Sequence, residues 1–478
     1  MDSKVIHAIN FLLFFFVFAV FTIVQETNLH TIVDDDILIL TSWIGIFILF
    51  YLIFSYCKSG GALFSLYSIF IILSFLFFFG HFFLCAIGVQ TTLLKERLIF
   101  DRIPVTTIGL LRSQFFFLSC IVAFHTAYII FFKRSKKLVK KEVFQLNIDN
   151  YSDSIYKVSL LLSFLVIPIT FYNLINDFIT AQVYGYIGLY YGETAKESGS
   201  ILTIGQMFFM CLIGLLIGSR YSKKNMIIVY GLFFLYMIID LACGDRGGWF
   251  YPLLILAWMH HTFYKRFTKG FVIKASILGF FFLYIIQAVV SVRNFGITAD
   301  SVQDALSFKD NPFFHFIEEM GGSMQIIIAA MTRDINYPYG NSVLLGLLAM
   351  VTMKIPAFLG IEYVPITDWF SWDYLGLNYG AGFSIFAETA INFGVYVTPI
   401  IFLLLGALST KILNVSERYY SLTSLQLLFM IGSSYFLMTS IRNTYHDLFK
   451  YWFIGCFLFV FVIVFYYRIT KKSRILKY

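Results

Sequence analysis

Apolar residues run in blocks of about twenty along most of the chain, separated by short polar breaks. Twelve such blocks predict membrane spans, at approximately 6–24, 37–56, 63–89, 113–132, 158–175, 201–219, 226–242, 249–264, 270–292, 385–408, 421–439 and 448–467. A helix of this length crosses a hydrocarbon core of ~30 Å. The pattern lacks the ten-residue alternating segments of a membrane β-barrel. The first block, Ile6 to Val24, exceeds the apolar core of a signal peptide. No small-residue cleavage site follows it, so it is expected to be retained. Residues 340–360 are apolar enough for a further span or a re-entrant pair, but Pro356 and the glycines near it disfavour a clean span.

Composition agrees with this pattern. The 478 residues are 59% hydrophobic and 20% aromatic, with only 13% charged, and the mean hydropathy is +0.81. A soluble domain carries about 25% charge. The expected fold is therefore an all-α polytopic integral membrane protein. It would form a single transmembrane domain over 1–478, with no soluble domain at either end and no internal repeat. The six cysteines form no CxxC pair and lie mostly in apolar runs, so they read as buried free thiols rather than a metal site.

Charge sets the orientation. With the N-terminus inside and alternate connections outside, 23 of the 35 Lys and Arg fall inside or near it, and 12 fall outside. The inside segments include KRSKKLVKK (133–141), RYSKK (220–224), KRFTK (265–269) and KKSRILK (471–477), while the acidic loop QETNLHTIVDDD (25–36) falls outside. This positive-inside bias predicts cytoplasmic N- and C-termini and an even span count. The net charge of +8 thus reports topology, and no nucleic-acid partner is implied. The longest outside connection, 293–384, is rich in Phe, Trp, Tyr, Gly and Pro. Its apolar patches predict short amphipathic or re-entrant helices.

Three arginines are placed by this topology at outward ends of late spans. Arg246 lies in CGDRGGWF (243–250), a tight turn in which Gly247 and Gly248 leave backbone N–H groups accessible beside a helix N-terminus. Arg293 ends SVRNFG, and Arg442 lies in TSIRNTYHD, followed by His446 and Asp447. Converging, they would suit a diphosphate at the membrane surface, because arginine matches phosphate oxygens in a bidentate fork. The alternative is a tight hairpin with Asp245 pairing Arg246, and three separately snorkelling side chains. In LGLNYGAGFSIFAETAINFG (375–394), Asn378, Tyr379 and Gly380 predict a turn above the membrane, with Glu388 about one turn inside the apolar zone. A glutamate there is costly unless it is paired or faces a polar cavity. The run Asp34 to Asp36 reads either as a divalent-cation site or as a plain acidic loop. No Walker motif, HExxH or nucleophile elbow occurs.

Over roughly 200–467 the chain resembles the Wzy-type polymerases of bacterial surface polysaccharide. The resemblance is carried by the G-x-R-G turn (Gly244 to Gly247), Arg293 at the end of a span, the large outer loop, the N-Y-G-A-G entry and the late I-R-N. It implies a GT-C-related, metal-independent glycosyltransferase without a cofactor. Such an enzyme moves a growing glycan from undecaprenyl pyrophosphate onto a sugar hydroxyl of an incoming lipid-linked repeat unit. Lipid-linked oligosaccharides and membrane lipids would be its partners, with a chain-length regulator a further candidate. Under this reading Arg246, Arg293 and Arg442 stabilise the departing pyrophosphate, and Gly247, Gly248, Asn378, Tyr379 and Glu388 bind substrate. His446, Asp447 or Glu388 takes the hydroxyl proton, and His446 is favoured because it titrates near neutral pH. An O-antigen ligase-like enzyme and a lipid-linked oligosaccharide flippase are the alternatives. A transporter would carry mid-span polar residues and symmetric halves, whereas here the polar residues gather at outer ends.

Overall fold

The computed structural model describes residues 3–27, 34–132, 149–184, 202–244, 247–292, 311–377 and 379–475. It is all-α and polytopic: among these residues eight helices are long and apolar enough to cross a membrane. The helices in chain order are α1 (Ser3–Glu26), α2 (Asp35–Lys58), α3 (Leu66–Ala86), α4 (Thr92–Glu96) and α5 (Thr107–Phe131). Between α4 and α5 lies a two-residue hairpin, β1 (Leu98–Ile99) and β2 (Ile103–Pro104). Then come α6 (Ser152–Tyr184), α7 (Phe208–Gly218), α8 (Lys223–Ala242), α9 (Phe250–Met259) and α10 (Lys269–Val292). The 293–384 segment contains α11 (Pro312–Gly321), α12 (Met324–Thr332), α13 (Ser342–Leu348), α14 (Lys354–Phe358) and α15 (Ile366–Asp368). The last are α16 (Ile385–Phe393), α17 (Thr398–Leu413), α18 (Ser424–Thr439), α19 (Tyr445–Tyr451) and α20 (Phe459–Ile475).

The chain divides into two compact units. The first holds α1 to α5, 314–417 and 437–448; the second holds 137–313, 418–436 and 449–478. In the second, α6 runs 33 residues through an internal Pro168. It lies so close to α7 that a Cβ on Gly218 would stand 2.5 Å from the Tyr156 backbone nitrogen.

In the first unit, α5 is the central post and is buried along nearly its whole length. The α17 helix packs along it, and Gly406 approaches so closely that a Cβ there would meet the Phe124 carbonyl oxygen at 2.1 Å. Small residues permit such backbone approach in membranes. A polar network fastens the end away from the hairpin. Asn10 bonds Ser55 at 3.1 Å and Tyr51 at 2.7 Å, and His125 contacts Ser55 at 3.2 Å. The opposite end, called here the hairpin face, carries the end of α1, the start of α2 and the β1–β2 turn.

Two elements depart from a simple reading of the apolar blocks. The block 385–408 is not one helix: Gly394, at φ 84°, breaks it into α16 and α17. Helix α16 begins deep. Phe386 stacks on Phe402 at 4.4 Å and packs on Phe78 and Phe117 at 4.9 and 5.5 Å. Phe78 precedes the hairpin-face end of α3 by about 12 Å of helix, at 1.5 Å per residue. From there α16 rises, and just beyond its end Tyr396 bonds Glu26 at the end of α1. The apolar stretch 340–360 is also broken, into α13 and α14, neither long enough to span.

Candidate functional site

Below the hairpin face, α16, α13 and the start of α19 meet around Glu388. Its side chain is fully buried. One carboxylate oxygen accepts from Ser342 Oγ at 2.7 Å and the other from the Tyr445 backbone N–H at 2.7 Å. The second bond satisfies a donor that the first turn of α19 leaves open. Asn392, one turn along α16, accepts from the Ser342 N–H at 2.7 Å and donates to Ser342 Oγ at 2.8 Å. Thr389 contacts the Tyr445 hydroxyl at 3.0 Å. Ser384 caps α16 by accepting from Ala387 N–H at 3.2 Å.

Arg442 closes a 3-10 turn after α18, and Thr444 precedes α19 and caps it: its hydroxyl donates to Asp447 Oδ2 at 2.9 Å and accepts from the Asp447 N–H at 3.2 Å. This reciprocal cap fixes the reversal at Asn443. The guanidinium of Arg442 lies 5.2 Å from the Phe77 ring centre. Phe77 precedes the end of α3 by nine residues, or ~14 Å. The sequence placed Arg442 at head-group level; it sits well below that end, because α18 stops at Thr439. The side chain is exposed at that depth, and among the described residues it makes no ion pair. A charge facing lipid there would cost several kcal/mol, so the group fits a polar cavity or a bound anion.

His446 is buried, with its ring 5.6 Å from that of Tyr363. Its backbone abuts α13, since a Cβ on Gly346 would stand 3.0 Å from the His446 Cα. Tyr337, Tyr363 and Asp368 surround the same place, and Tyr337 donates its hydroxyl to the Val364 carbonyl. Asp368 is exposed as a residue, and partial desolvation of its carboxyl, then the charge of Asp447, raises it above the ordinary carboxylate range. Burial also raises the Tyr363 phenol, followed by Tyr337, Glu388, Asp447 and Asp368. One cluster thus gathers Glu388, His446, Asp447, Asp368 and two tyrosines, with Arg442 two residues before α19's cap. The sequence singled out Glu388, Arg442, His446 and Asp447. It gave no sign of Asp368 or Tyr363, which stand in an irregular aromatic stretch without periodicity.

The other candidates fall elsewhere. Arg246, Arg293 and Asn378 lie outside the described residues. Gly247 and Gly248 belong to the second unit. A Cβ on Gly248 would meet Asp240 Oδ2 at 2.6 Å and the Tyr236 hydroxyl at 2.9 Å, so glycine is required there for packing. Tyr379 lines a polar cleft of about 230 Å³ beside the hairpin. The acidic run is engaged: Asp34 caps α2 through the Asp36 N–H at 3.4 Å. Asp35 pairs with Arg97 at 2.7 Å and accepts from Thr107 at 2.9 Å. The six cysteines are free thiols, five of them buried.

Comparison with known proteins returned one family. The family described as "O-antigen polysaccharide polymerase Wzy" matches the chain over residues 5–473. No curated protein and no solved structure matches it.

Proposed function

Because the chain belongs to the O-antigen polysaccharide polymerase family Wzy, nearly all of its length being matched, we propose that its polymerase reaction takes place at the Arg442–His446–Glu388 cluster. The donor is the growing glycan on undecaprenyl pyrophosphate, and the acceptor is one repeat unit on the same lipid. The hairpin face is the outer face of a bacterial inner membrane, and both termini are cytoplasmic. The acceptor hydroxyl oxygen attacks the anomeric carbon. The bond from that carbon to the pyrophosphate oxygen breaks, and its electron pair leaves with the lipid pyrophosphate. Arg442 stabilises the charge that develops there. His446 takes the hydroxyl proton, with Asp447 beside it. Glu388 positions both by holding the first N–H of α19.

The observation that carries this reading is the exposed guanidinium of Arg442, ~14 Å along α3 from the hairpin face and beside a buried acid–histidine–tyrosine cluster. No metal is assigned a role: Asp34 and Asp35 already serve as cap and ion-pair partner. Continued polymerisation in excess EDTA would agree with that. Arg442→Ala is expected to abolish long-chain polymer on a gel while glycan of a single repeat unit still reaches the surface. A normal ladder from this variant refutes the site, and loss of all surface glycan points to a ligase or flippase instead. A length-regulating partner would act on this same reaction by altering chain length alone.

A further inference from the structure

The cleft beside the hairpin is separate from the cluster around Glu388, and the chemistry just proposed does not use it. It measures about 230 Å³ and is lined by Thr92, Glu96, Phe100, Asp101, Gln325 and Tyr379, among others. We propose that it is a sugar-binding subsite that holds one neutral or amino sugar ring of the repeat-unit glycan; the proposal rests on the polymerase reading above.

The cleft is held open by fixed parts. Phe100 and Asp101 both have left-handed backbone, at φ 51° and 55°. Tight hairpins of this kind normally use Asn-Gly, and two residues with side chains store strain there. The turn is nevertheless pinned. The Phe100 N–H donates to Gln325 Oε1 at 2.9 Å, and the Phe100 ring packs on Phe370 at 6.0 Å. Arg102 Nη1 donates to the carbonyls of Leu375 and Gly376 at 2.6 and 3.0 Å, which ties the segment ahead of Tyr379 to the hairpin. Across the cleft, Thr92 donates its N–H and its hydroxyl to Glu318 at 2.6 and 2.7 Å.

The lining selects the ligand class. Two carboxylates, an amide and a phenol offer paired acceptors and donors for neighbouring hydroxyls. The Tyr379 ring supplies an apolar face for sugar C–H groups. With its oxygen bonded to Phe100, the Gln325 amide retains its NH2 group as a donor. Glu96 and Asp101 disfavour phosphate by like charge, so the cleft suits a sugar and not the lipid's diphosphate. Its volume lies below the roughly 300–1,000 Å³ of drug-sized sites, which matches a single ring. Tyr379 is nine residues from Glu388, so the two places are at most ~30 Å apart along the chain. The ring bound here therefore lies within reach of the Glu388 cluster for one extended oligosaccharide.

The test uses full-length protein in detergent. The probe is the free oligosaccharide released by mild acid from the host's own lipid-linked repeat units, observed by saturation-transfer NMR and titration. Asp101→Asn and Tyr379→Ala are each expected to raise Kd at least about tenfold with an unchanged melting temperature. In cells both should shorten the polymer without abolishing it. Asparagine tolerates the left-handed backbone, so Asp101→Asn keeps the turn. Wild-type protein that does not bind the oligosaccharide overturns the proposal, as does unchanged affinity in both variants. Competition by inorganic pyrophosphate also overturns it, since the cleft would then be an anion site. If Arg442→Ala abolishes polymer but the cleft variants bind normally, the subsite alone fails. If Arg442→Ala leaves polymer intact while the cleft variants lose binding, the catalytic reading fails and the sugar site stands.

Discussion

Replacing Glu388 by glutamine separates a positioning role from a proton-transfer role. The carboxylate accepts two hydrogen bonds, one from Ser342 Oγ and one from the Tyr445 N–H. Ser342 Oγ already accepts from Asn392 Nδ2. A glutamine with its oxygen toward Tyr445 leaves the serine hydroxyl proton without an acceptor. Turned the other way, its NH2 faces the Tyr445 N–H. Either orientation orphans one donor in a fully buried place, at about 1–3 kcal/mol. For a 150–250-residue cooperative unit, 1 kcal/mol shifts Tm by ~2–4 °C. Glu388→Gln should therefore lower Tm by roughly 2–12 °C, and Glu388→Ala by more, because it orphans both donors and opens a cavity. The assay is thermal unfolding in one detergent at one scan rate, followed by intrinsic fluorescence, alongside the polymer ladder in cells. A glutamine variant that melts within a degree of wild type but makes no polymer would refute the positioning role and favour Glu388 as the base.

Gly406→Ala drives a methyl group into the Phe124 carbonyl and should separate α17 from α5. The expected cost is about 1–3 kcal/mol or more, read as lower yield and an earlier melt. Arg97→Ala removes only a partly exposed ion pair and should cost no more than ~1 kcal/mol; a large loss of stability would contradict that. Asp368 is raised by partial desolvation and by Asp447, so the folded state holds its proton more tightly than the unfolded chain does. Its ionisation therefore destabilises the fold as pH rises above the ordinary aspartate value, ~3.9. Asp368→Asn should flatten the pH dependence of Tm in that range and raise Tm at neutral pH, and an unchanged profile would show that this exposed side chain is not desolvated enough to shift.

Fold class was legible because twenty-residue apolar blocks have one physical solution in lipid. Block boundaries also located α2, α3, α5 and α8 closely. Depth was not legible. In the block 385–408 the break is marked only by Gly394 and by Pro399 at the start of α17, and the left-handed φ of Gly394 is a property of the backbone. Arg442 was recognisable as a functional arginine, yet its level depends on where α18 stops against α3. Glu388 and His446 were visible as polar residues in apolar surroundings. Their partners Ser342 and Tyr363 were not, because those contacts span dozens of residues and follow no repeat, whereas Asn392 lies one helical turn from Glu388. The hairpin cleft was equally hidden: its walls come from three segments that only the tertiary fold brings together.

The break at Gly394 bears on how the protein is made. Helix α16 has nine residues, about 14 Å of helix, far short of a bilayer. The chain before it, 379–384, is not helical. The Phe78, Phe117 and Phe402 rings pack on Phe386 in its first turn, so protein surrounds the start of this short helix. This piece therefore has no stable place in bare lipid and cannot enter as an independent segment at the translocon. Its place is the slot that α3, α5 and α17 form. The residue that holds the start of α19 is thus held by contacts from three other helices, so the cluster around it depends on their packing.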